Sequence, residues 1–423
     1  MQRGVIAAVT VLVFAAAAMA APVNVQDFSD QAVAAGTENE DWQPAFQAAI
    51  AQARQQMKPL YVPAGEYKIR QAIEIRPVEE PKNAVNHNDL VIYGDGKYLS
   101  IIAQQVKEEN CVNWTSDEYE NSATFGHMKD LCLSGGDVTL NIKWHNYFDM
   151  DTCYIAGAGS YGIHAEGWSS RFANSTIRWC KKAGIFARGH FNNNVIRDCY
   201  FSRDGIGVRC VSGWHGSRIE GCGFESCAKA AVYVRGCRSL TINNSYFEGN
   251  GYAPDSGAWK YFDFEQPANT IQLDYACKSV NIHDNIFRSN RSDQGAVIAV
   301  TYCIGGHVYD NMFYNTENAF MLRDVSETNE NARSTVIDFI VEGNEFENVE
   351  NRLMEQEPGL ITKAIERRSV FTMDANRTME GSPLGVVRPD CIGAEVLDET
   401  TGTWYKASGP TKDDWVPVYA PAQ

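Results

Sequence analysis

Ile196-Arg197-Asp198-Cys199-Tyr200-Phe201 is followed 23 residues later by Ile219-Glu220-Gly221-Cys222-Gly223-Phe224, and 23 residues after that by Ile242-Asn243-Asn244-Ser245-Tyr246-Phe247. The shared pattern is apolar–x–x–small polar–x–apolar. Upstream it recurs around Cys153 (residues 150–155) and Ser175 (172–177), downstream around Asn285 (282–287), Asn311 (308–313) and Asn344 (341–346). From Cys153 onward the small polar position advances by 22, 24, 23, 23, 40, 26 and 33 residues. A period in the low twenties, with strand-like alternation and no helical stretch between, is the signature of a β-solenoid. Each repeat is then one coil of three short strands, stacked about 4.8 Å on the next. Apolar residues line the interior, and the small polar residue sits at a tight turn where it hydrogen-bonds its counterpart one coil above. The leucine-rich repeat shares this period, but no L-x-x-L-x-L consensus appears, and the steps of 40 and 33 require loops inserted at particular corners.

Composition agrees. The chain has 423 residues, 44% hydrophobic and 21% charged, so a folded core is affordable and wholesale disorder is excluded. With Lys+Arg 37 against Asp+Glu 53 the net charge is −16, which argues against a nucleic-acid partner. Residues 1–20 have the three parts of a secretory signal: Arg3, an apolar stretch over 5–16, and the Ala18-Met19-Ala20 cleavage pattern. An uncleaved anchor is the competing reading, although the apolar run is short for a span and no later stretch crosses a bilayer. The expectation is a secreted or periplasmic protein without a membrane span.

Thr37-Glu38-Asn39-Glu40 fits a capping box, and Ala45, Phe46, Ala49, Ile50 and Ala53 then recur at helical spacing. Leu60-Tyr61-Val62-Pro63-Ala64-Gly65-Glu66-Tyr67 reads as strand, turn, strand, and another strand runs into Gly94-Asp95-Gly96. The expected organisation is a signal peptide over 1–20, an N-terminal cap with the first strands over 21–96, solenoid coils over 97–354 and a small C-terminal β module over 355–423.

Val25-Gln26-Asp27-Phe28, the helical stretch 41–55, Val62-Pro63-Ala64-Gly65-Glu66-Tyr67 and Ile92-Tyr93-Gly94-Asp95-Gly96 together resemble the module that opens right-handed parallel β-helix proteins of the pectate-lyase-like superfamily. The coils from about Leu131 to Phe346 are similar to its generic repeat. The resemblance implies an all-β, right-handed parallel β-helix with a capping helix, but this fold hosts polysaccharide lyases, glycoside hydrolases and tailspikes alike. The polygalacturonase pattern of N-T-D, D-D, G-H-G and R-I-K is absent, as is the D-P-H signature of alginate epimerases, so neither catalytic set carries over. The stretch from Arg388-Pro389-Asp390-Cys391 through Thr403-Trp404-Tyr405-Lys406 to Asp414-Trp415-Val416 resembles a module that follows β-helices in tailspike-like proteins. There it often sits near an oligomer axis, and a homotrimer is one assembly this allows.

Twelve cysteines in an exported chain invite a disulfide reading. The repeat suggests instead a ladder of buried thiols: Cys153, Cys199 and Cys222 fall at the small polar turn position, and Cys237, Cys277 and Cys303 each fall eight residues before it. Bridges Cys199–Cys222 or Cys277–Cys303 stay open as the alternative, since neighbouring coils lie within disulfide range. No C-x-x-C pair exists, so a metal is not expected.

One strand of each coil carries charge. Aligning Asn141-Ile142-Lys143, His164-Ala165-Glu166, Phe186-Ala187-Arg188, Gly207-Val208-Arg209, Tyr233-Val234-Arg235 and Gln272-Leu273-Asp274 puts the apolar middle residues inside. One outward column then reads Lys143, Glu166, Arg188, Arg209, Arg235, Asp274; its neighbour reads Asn141, His164, Phe186, Gly207, Tyr233, Gln272. Three arginines on successive coils, about 5 Å apart, suggest a site for an anion, which the planar guanidinium binds bidentately. A solvated salt-bridge ladder neutralised by Glu166 and Asp274 is the structural alternative. Phe186 and Tyr233 are candidate sugar platforms, as is Trp259 in the insertion that lengthens the 245-to-285 step. Trp168 and Trp214 are equally turn packing or platforms.

In the resembling families the glycan lies on this sheet, and their lyases use Lys, Arg and Tyr. The expectation is therefore an exported enzyme cleaving an acidic, uronate-containing or sulfated polysaccharide by β-elimination. Arg209 and Arg235 neutralise the carboxylate, and Tyr233 or His164 moves the proton, while Lys143, Glu166, Phe186, Arg188, Asp274 and Trp259 bind substrate. Hydrolysis is the second reading. It needs two carboxylates about 5 to 10 Å apart, and because Glu166 and Asp274 stand four coils apart it must draw on Asp204, Asp255, Asp263 or Glu265. A non-catalytic, adhesin-like glycan-binding solenoid is the third. No cofactor is expected; calcium wants clustered carboxylates rather than arginines.

Overall fold

The computed structural model describes residues 21–33, 40–76, 87–116, 123–251, 269–274, 276–290, 295–301, 303–322, 336–337, 339–355, 377–379, 382–385, 395–398, 400–401, 403–409 and 411–419. The expected signal segment, the box at 37–39 and Trp259 lie outside these residues. Among the described residues no helix is long and apolar enough to cross a membrane.

Three parallel sheets run the length of the molecule, and each coil visits them in the order A, B, C. In one central coil the strands are Arg171–Ala173 (A), Thr176–Arg178 (B) and Ala183–Asn192 (C). Among the described residues sheet A has 12 strands, B has 11 and C has 14. The expected coil of three short strands is thus what the chain forms, and the small polar residue sits at the A-to-B turn. The residue before it is held left-handed at Asn174, Asp198, Gly221, Asn244, Asp284, Asp310 and Gly343 (φ 50 to 64°). Asn, Asp and Gly tolerate that region best, which is why they recur there.

The turn residues form a ladder of backbone-to-side-chain bonds. The Ser245 N–H donates to Asn285 Oδ1 at 3.0 Å, Asn285 N–H to Asn311 Oδ1 at 3.1 Å, and Asn311 N–H to Asn344 Oδ1 at 3.0 Å. In the same ladder Cys153 and Cys222 donate their N–H groups to Ser175 Oγ (3.0 Å) and Ser245 Oγ (3.1 Å). The turn is buried, so without these partners each coil would carry orphaned backbone groups. Inside sheet B, Phe201, Phe224, Phe247, Phe287, Phe313 and Phe346 stack ring on ring with centroids 4.7 to 5.2 Å apart. That spacing is the strand spacing, and each fully buried ring contributes about 1.5–3 kcal/mol.

The eleven described cysteines are all free and buried. Cys277 pairs in register with Cys303, and Arg238 with Lys278, which sets Cys237 beside Cys277, so these free thiols stack on successive coils. Cys199 and Cys222 donate their thiols to Phe172 O (3.5 Å) and Ile196 O (3.6 Å) on the preceding coil.

At the N-terminal end, helix Gln43–Gln55 buries Ala45, Phe46, Ala49, Ile50 and Ala53. It begins later than the expected box: Trp42 is the cap residue, and Asp41 Oδ1 accepts the Gln43 N–H at 3.1 Å. Trp42 and Phe46 meet Tyr67 edge-on at 4.9 and 5.7 Å, joining the helix to the first coil and covering an otherwise open end of the stack. At the far end Arg377–Met379, Glu395–Asp398, Thr403–Ala407 and Trp415–Tyr419 form a separate four-stranded sheet, D.

Candidate functional site

The strands of sheet C are longest at its middle: Tyr161–Trp168, Ala183–Asn192, Ile206–His215 and Ala230–Arg238. Their alternate residues Ile163, Ile185, Val208 and Val232, then Ala165, Ala187, Cys210 and Val234, fill the interior. The residues between them face outward.

The hydrogen-bond register differs from the sequence alignment on one strand. Phe186 pairs with Arg209 and Arg209 with Tyr233, while Val211 stands between Arg188 and Arg235. Arg188, Arg209 and Arg235 therefore do not form a column of three. Arg209 has moved into the aromatic column, which reads Asn141, His164, Phe186, Arg209, Tyr233, Gln272. The repeat Tyr161-Gly162-Ile163-His164, Ala183-Gly184-Ile185-Phe186, Ile206-Gly207-Val208-Arg209, Ala230-Ala231-Val232-Tyr233 carried the signal. Its small second position is required, because a Cβ on Gly207 would meet Ala231 O at 2.6 Å and Phe224 Cδ1 at 2.7 Å. One on Gly184 would meet Gly207 O at 2.7 Å.

The shift creates a cation held between two rings: the Arg209 guanidinium lies 5.5 Å from the Phe186 centroid and 5.8 Å from that of Tyr233. Phe186 continues the stack to His164 (5.3 Å) and to Tyr161 (4.4 Å), a residue the sequence reading missed. Tyr161, Phe186 and Tyr233 also pack over Ala183, Ile206 and Ala230, an apolar floor on the outside of the sheet. The half-buried rings keep their places because that floor supports them.

Beside this stack Tyr233 donates its hydroxyl to Asp274 Oδ2 at 2.7 Å, and Arg235 pairs in register with Asp274. Burial first, then the Asp274 charge and hydrogen bond, push the Tyr233 phenol far above its ordinary value, against Arg235 and Arg209. A phenol so held stays protonated and donates its hydrogen bond to Asp274, while the raised value makes it a weaker acid than a free phenol. At the other end His164 Nε2 lies 3.5 Å from Glu166 Oε1. Burial raises Glu166, but the His164 contact and the charges of Lys143 and Arg188 outweigh it and hold the carboxylate low.

The four residues expected to be catalytic are thus only partly brought together. Arg209, Tyr233 and Arg235 share one neighbourhood, whereas His164 is three coils from Tyr233, about 14 Å at the strand spacing. Glu166 and Asp274 are four coils apart, about 19 Å, too far for a hydrolytic pair. Asp204 leaves the list of loop carboxylates: it is fully buried at the corner between sheets B and C, accepting the Cys180 N–H at 2.8 Å. Trp214 is also fully buried and packs on Phe191 at 6.1 Å, so it is core rather than platform; Trp168 is half-buried. Asp255, Asp263 and Glu265 lie outside the described residues with Trp259. Among the described residues no three His, Cys, Asp or Glu side chains gather where they could hold a metal ion.

Two family profiles match the sequence. One, described as rhamnogalacturonase A/epimerase, pectate lyase-like, covers residues 22–125, and the other, described as right handed beta helix region, covers 139–344. No curated protein sequence matches the chain. Among solved structures it is similar to the N-terminal fragment of gene product 12 of bacteriophage Phi29 (TM-score 0.59, 10% identity, 94% of this chain and 74% of that one). It is also similar to ORF18 of Geobacillus virus E2 (TM-score 0.54, 15% identity, 91% of this chain), of whose length it spans 66%. A third likeness is to the A-module of a mannuronan C-5 epimerase of Azotobacter vinelandii (TM-score 0.52, 14% identity, 83% of this chain and 99% of that one). At these identities the likeness is one of fold. With both family profiles falling on the stacked parallel sheets, the chain belongs to the pectate-lyase-like superfamily of right-handed parallel β-helices.

Proposed function

We propose that the protein is an exported enzyme that cleaves an acidic polysaccharide by β-elimination on the outer face of sheet C. The observation that carries this reading is Arg209, fixed between Phe186 and Tyr233, with the Tyr233–Asp274 hydrogen bond beside it. Arg209 and Arg235 neutralise a uronate carboxylate, which makes the neighbouring C5–H more acidic. Asp274 takes that proton while the Tyr233 phenol donates its own to the departing glycosidic oxygen; the C4–O bond breaks and the C4–C5 double bond forms. The proton then passes from Asp274 back to the phenolate across their 2.7 Å contact, restoring the starting state. Acid and base one hydrogen bond apart act from the same side of the ring, which favours a syn elimination. Tyr233 is then the acid, and His164, with Glu166, Lys143 and Arg188, belongs to a more distant part of the substrate groove.

The test is incubation of the full chain with polygalacturonate, alginate and glycosaminoglycans, following reducing ends and the ultraviolet absorbance of an unsaturated uronate together. Both signals should rise, and Arg209→Glu should abolish both. Reducing ends alone would mean hydrolysis, and binding without turnover on every substrate would mean a non-catalytic glycan-binding solenoid.

A further inference from the structure

The outer face of sheet B carries a second, differently built row. One outward column reads Tyr154, Thr176, Tyr200, Gly223, Tyr246, Ile286, Met312. A tyrosine therefore stands on every second coil, with a small residue between each pair. Tyr200 and Tyr246 are 37% and 36% exposed, and Ile286 and Met312 extend the strip at 44% and 37%.

The tyrosines are positioned rather than free. Tyr200 hydrogen-bonds Glu225 on the neighbouring strand, and its ring leans over Gly223, where a Cβ would meet Tyr200 Cδ2 at 3.0 Å. Tyr246 donates to Glu248 Oε2 at 3.0 Å, two residues along its own strand. Both of these phenols are tethered to the sheet surface by a carboxylate, whereas the Tyr154 ring packs on Tyr98 with centroids 5.4 Å apart.

We propose that this face binds a neutral, extended 1,4-linked glycan lying along the solenoid axis, with Tyr154, Tyr200 and Tyr246 stacking on alternate sugar rings. The argument is one of commensurate spacing. A pyranose joined through equatorial 1- and 4-positions advances its chain by roughly 5 Å, close to one strand spacing. Successive rings of such a ribbon turn over, so the same sugar face returns every second residue, and the tyrosines return every second coil. Between the tyrosines, the Lys97 ammonium reaches Thr176 Oγ1 at 3.4 Å and the Tyr200 ring covers Gly223, so the intervening sugar meets these side chains. Glu225 and Glu248 accept from sugar hydroxyls, and Arg288 beside Glu248 (4.0 Å) with Lys97 and Arg178 offsets their charge, so the strip carries no excess of either sign and suits a neutral occupant where that of sheet C is acidic. The strip is independent of the reading given to sheet C.

The experiment uses the full chain with two probes, cellohexaose and a mannuronate hexamer, by isothermal titration calorimetry. Cellohexaose should bind, with Tyr200→Ala and Tyr246→Ala each weakening it about three- to tenfold and their combination more. Arg209→Ala, on the other sheet, should leave this binding unchanged. These side chains are exposed, so circular dichroism and melting of the variants should match the parent. The proposal is overturned by no binding of cellohexaose, by equal affinity in the double variant, or by a preference for the mannuronate hexamer that Arg209→Ala removes. It is also overturned if sedimentation shows an oligomer that the double variant dissociates, since the strip is then an interface between copies.

Discussion

Asp204→Asn should make the protein more stable, by an amount that grows with pH. At the B-to-C corner the equivalent residues on later coils are Asn250 and Asn290, whose Oδ1 atoms accept the N–H groups of Cys227 (3.0 Å) and Asn250 (2.9 Å). Asp204 does the same for Cys180, but it is fully buried and its Oδ2 has no hydrogen-bond partner among the described residues. Burial holds its carboxyl well above the ordinary carboxylate range, against the Cys180 hydrogen bonds and the Arg178 charge. A carboxyl with a raised folded-state pKa keeps a proton that the unfolded chain releases, so stability falls as pH climbs from the unfolded value towards the folded one. The slope is at most about 1.4 kcal/mol per pH unit in that window. Asparagine removes the titration, and its amide reaches a carbonyl one coil back, as Asn250 Nδ2 does to Phe224 O at 2.9 Å. That bond adds about 0.5–1.5 kcal/mol. Urea unfolding of parent and variant between about pH 4 and pH 9 should therefore give two curves that diverge upward, the variant ahead throughout. Parallel curves, or a variant less stable across the range, would refute the reasoning.

Tyr233→Phe should lower turnover on a cleaved polyuronide by about 10²–10⁴-fold while glycan affinity changes little, because the ring over Arg209 remains and only the proton donor is lost. Steady-state kinetics beside calorimetric affinities separate the two effects. Asn311→Ala should destabilise the solenoid by about 2–4 kcal/mol in chemical unfolding: it orphans the Asn285 N–H and removes the Asn311 amide from Ile282 O and Asn344 Oδ1. The eleven buried thiols should resist a thiol reagent in the native protein and all react in denaturant, since burial pushes groups such as Cys111 and Cys153 up to about 12. Because Cys391 lies outside the described residues, native reactivity of more than one thiol, or fewer than twelve thiols after unfolding, would contradict the free-thiol ladder.

The solenoid was legible because its determinants are local and repeat. A left-handed residue before the turn (Asn, Asp or Gly on all but the Thr152 coil), a small polar residue at it and an apolar residue two later are repeated from coil to coil, so they recur in the chain itself. The Cys237–Cys277–Cys303 stack was readable by the same count, since a fixed offset from the turn residue keeps its place from coil to coil. The Tyr233 environment was not: nothing in the sequence tells that Tyr233 is half-buried against Asp274, an enclosure that keeps the phenol protonated.

Arg209 marks the boundary between the two kinds of knowledge. The sequence by itself determined that Val208, Arg209 and Cys210 belong to a strand with the arginine facing out, because the alternation of apolar and polar residues has period two. A slip of two residues preserves that alternation completely, so Val208 and Cys210 serve equally well as the inward neighbour. Only the folded coil, where Gly184, Gly207 and Ala231 must stack because larger side chains would strike backbone oxygens and Phe224, selects one register. That choice, made by close packing between residues far apart in the chain, takes Arg209 out of a row of like charges and sets it between two aromatic rings.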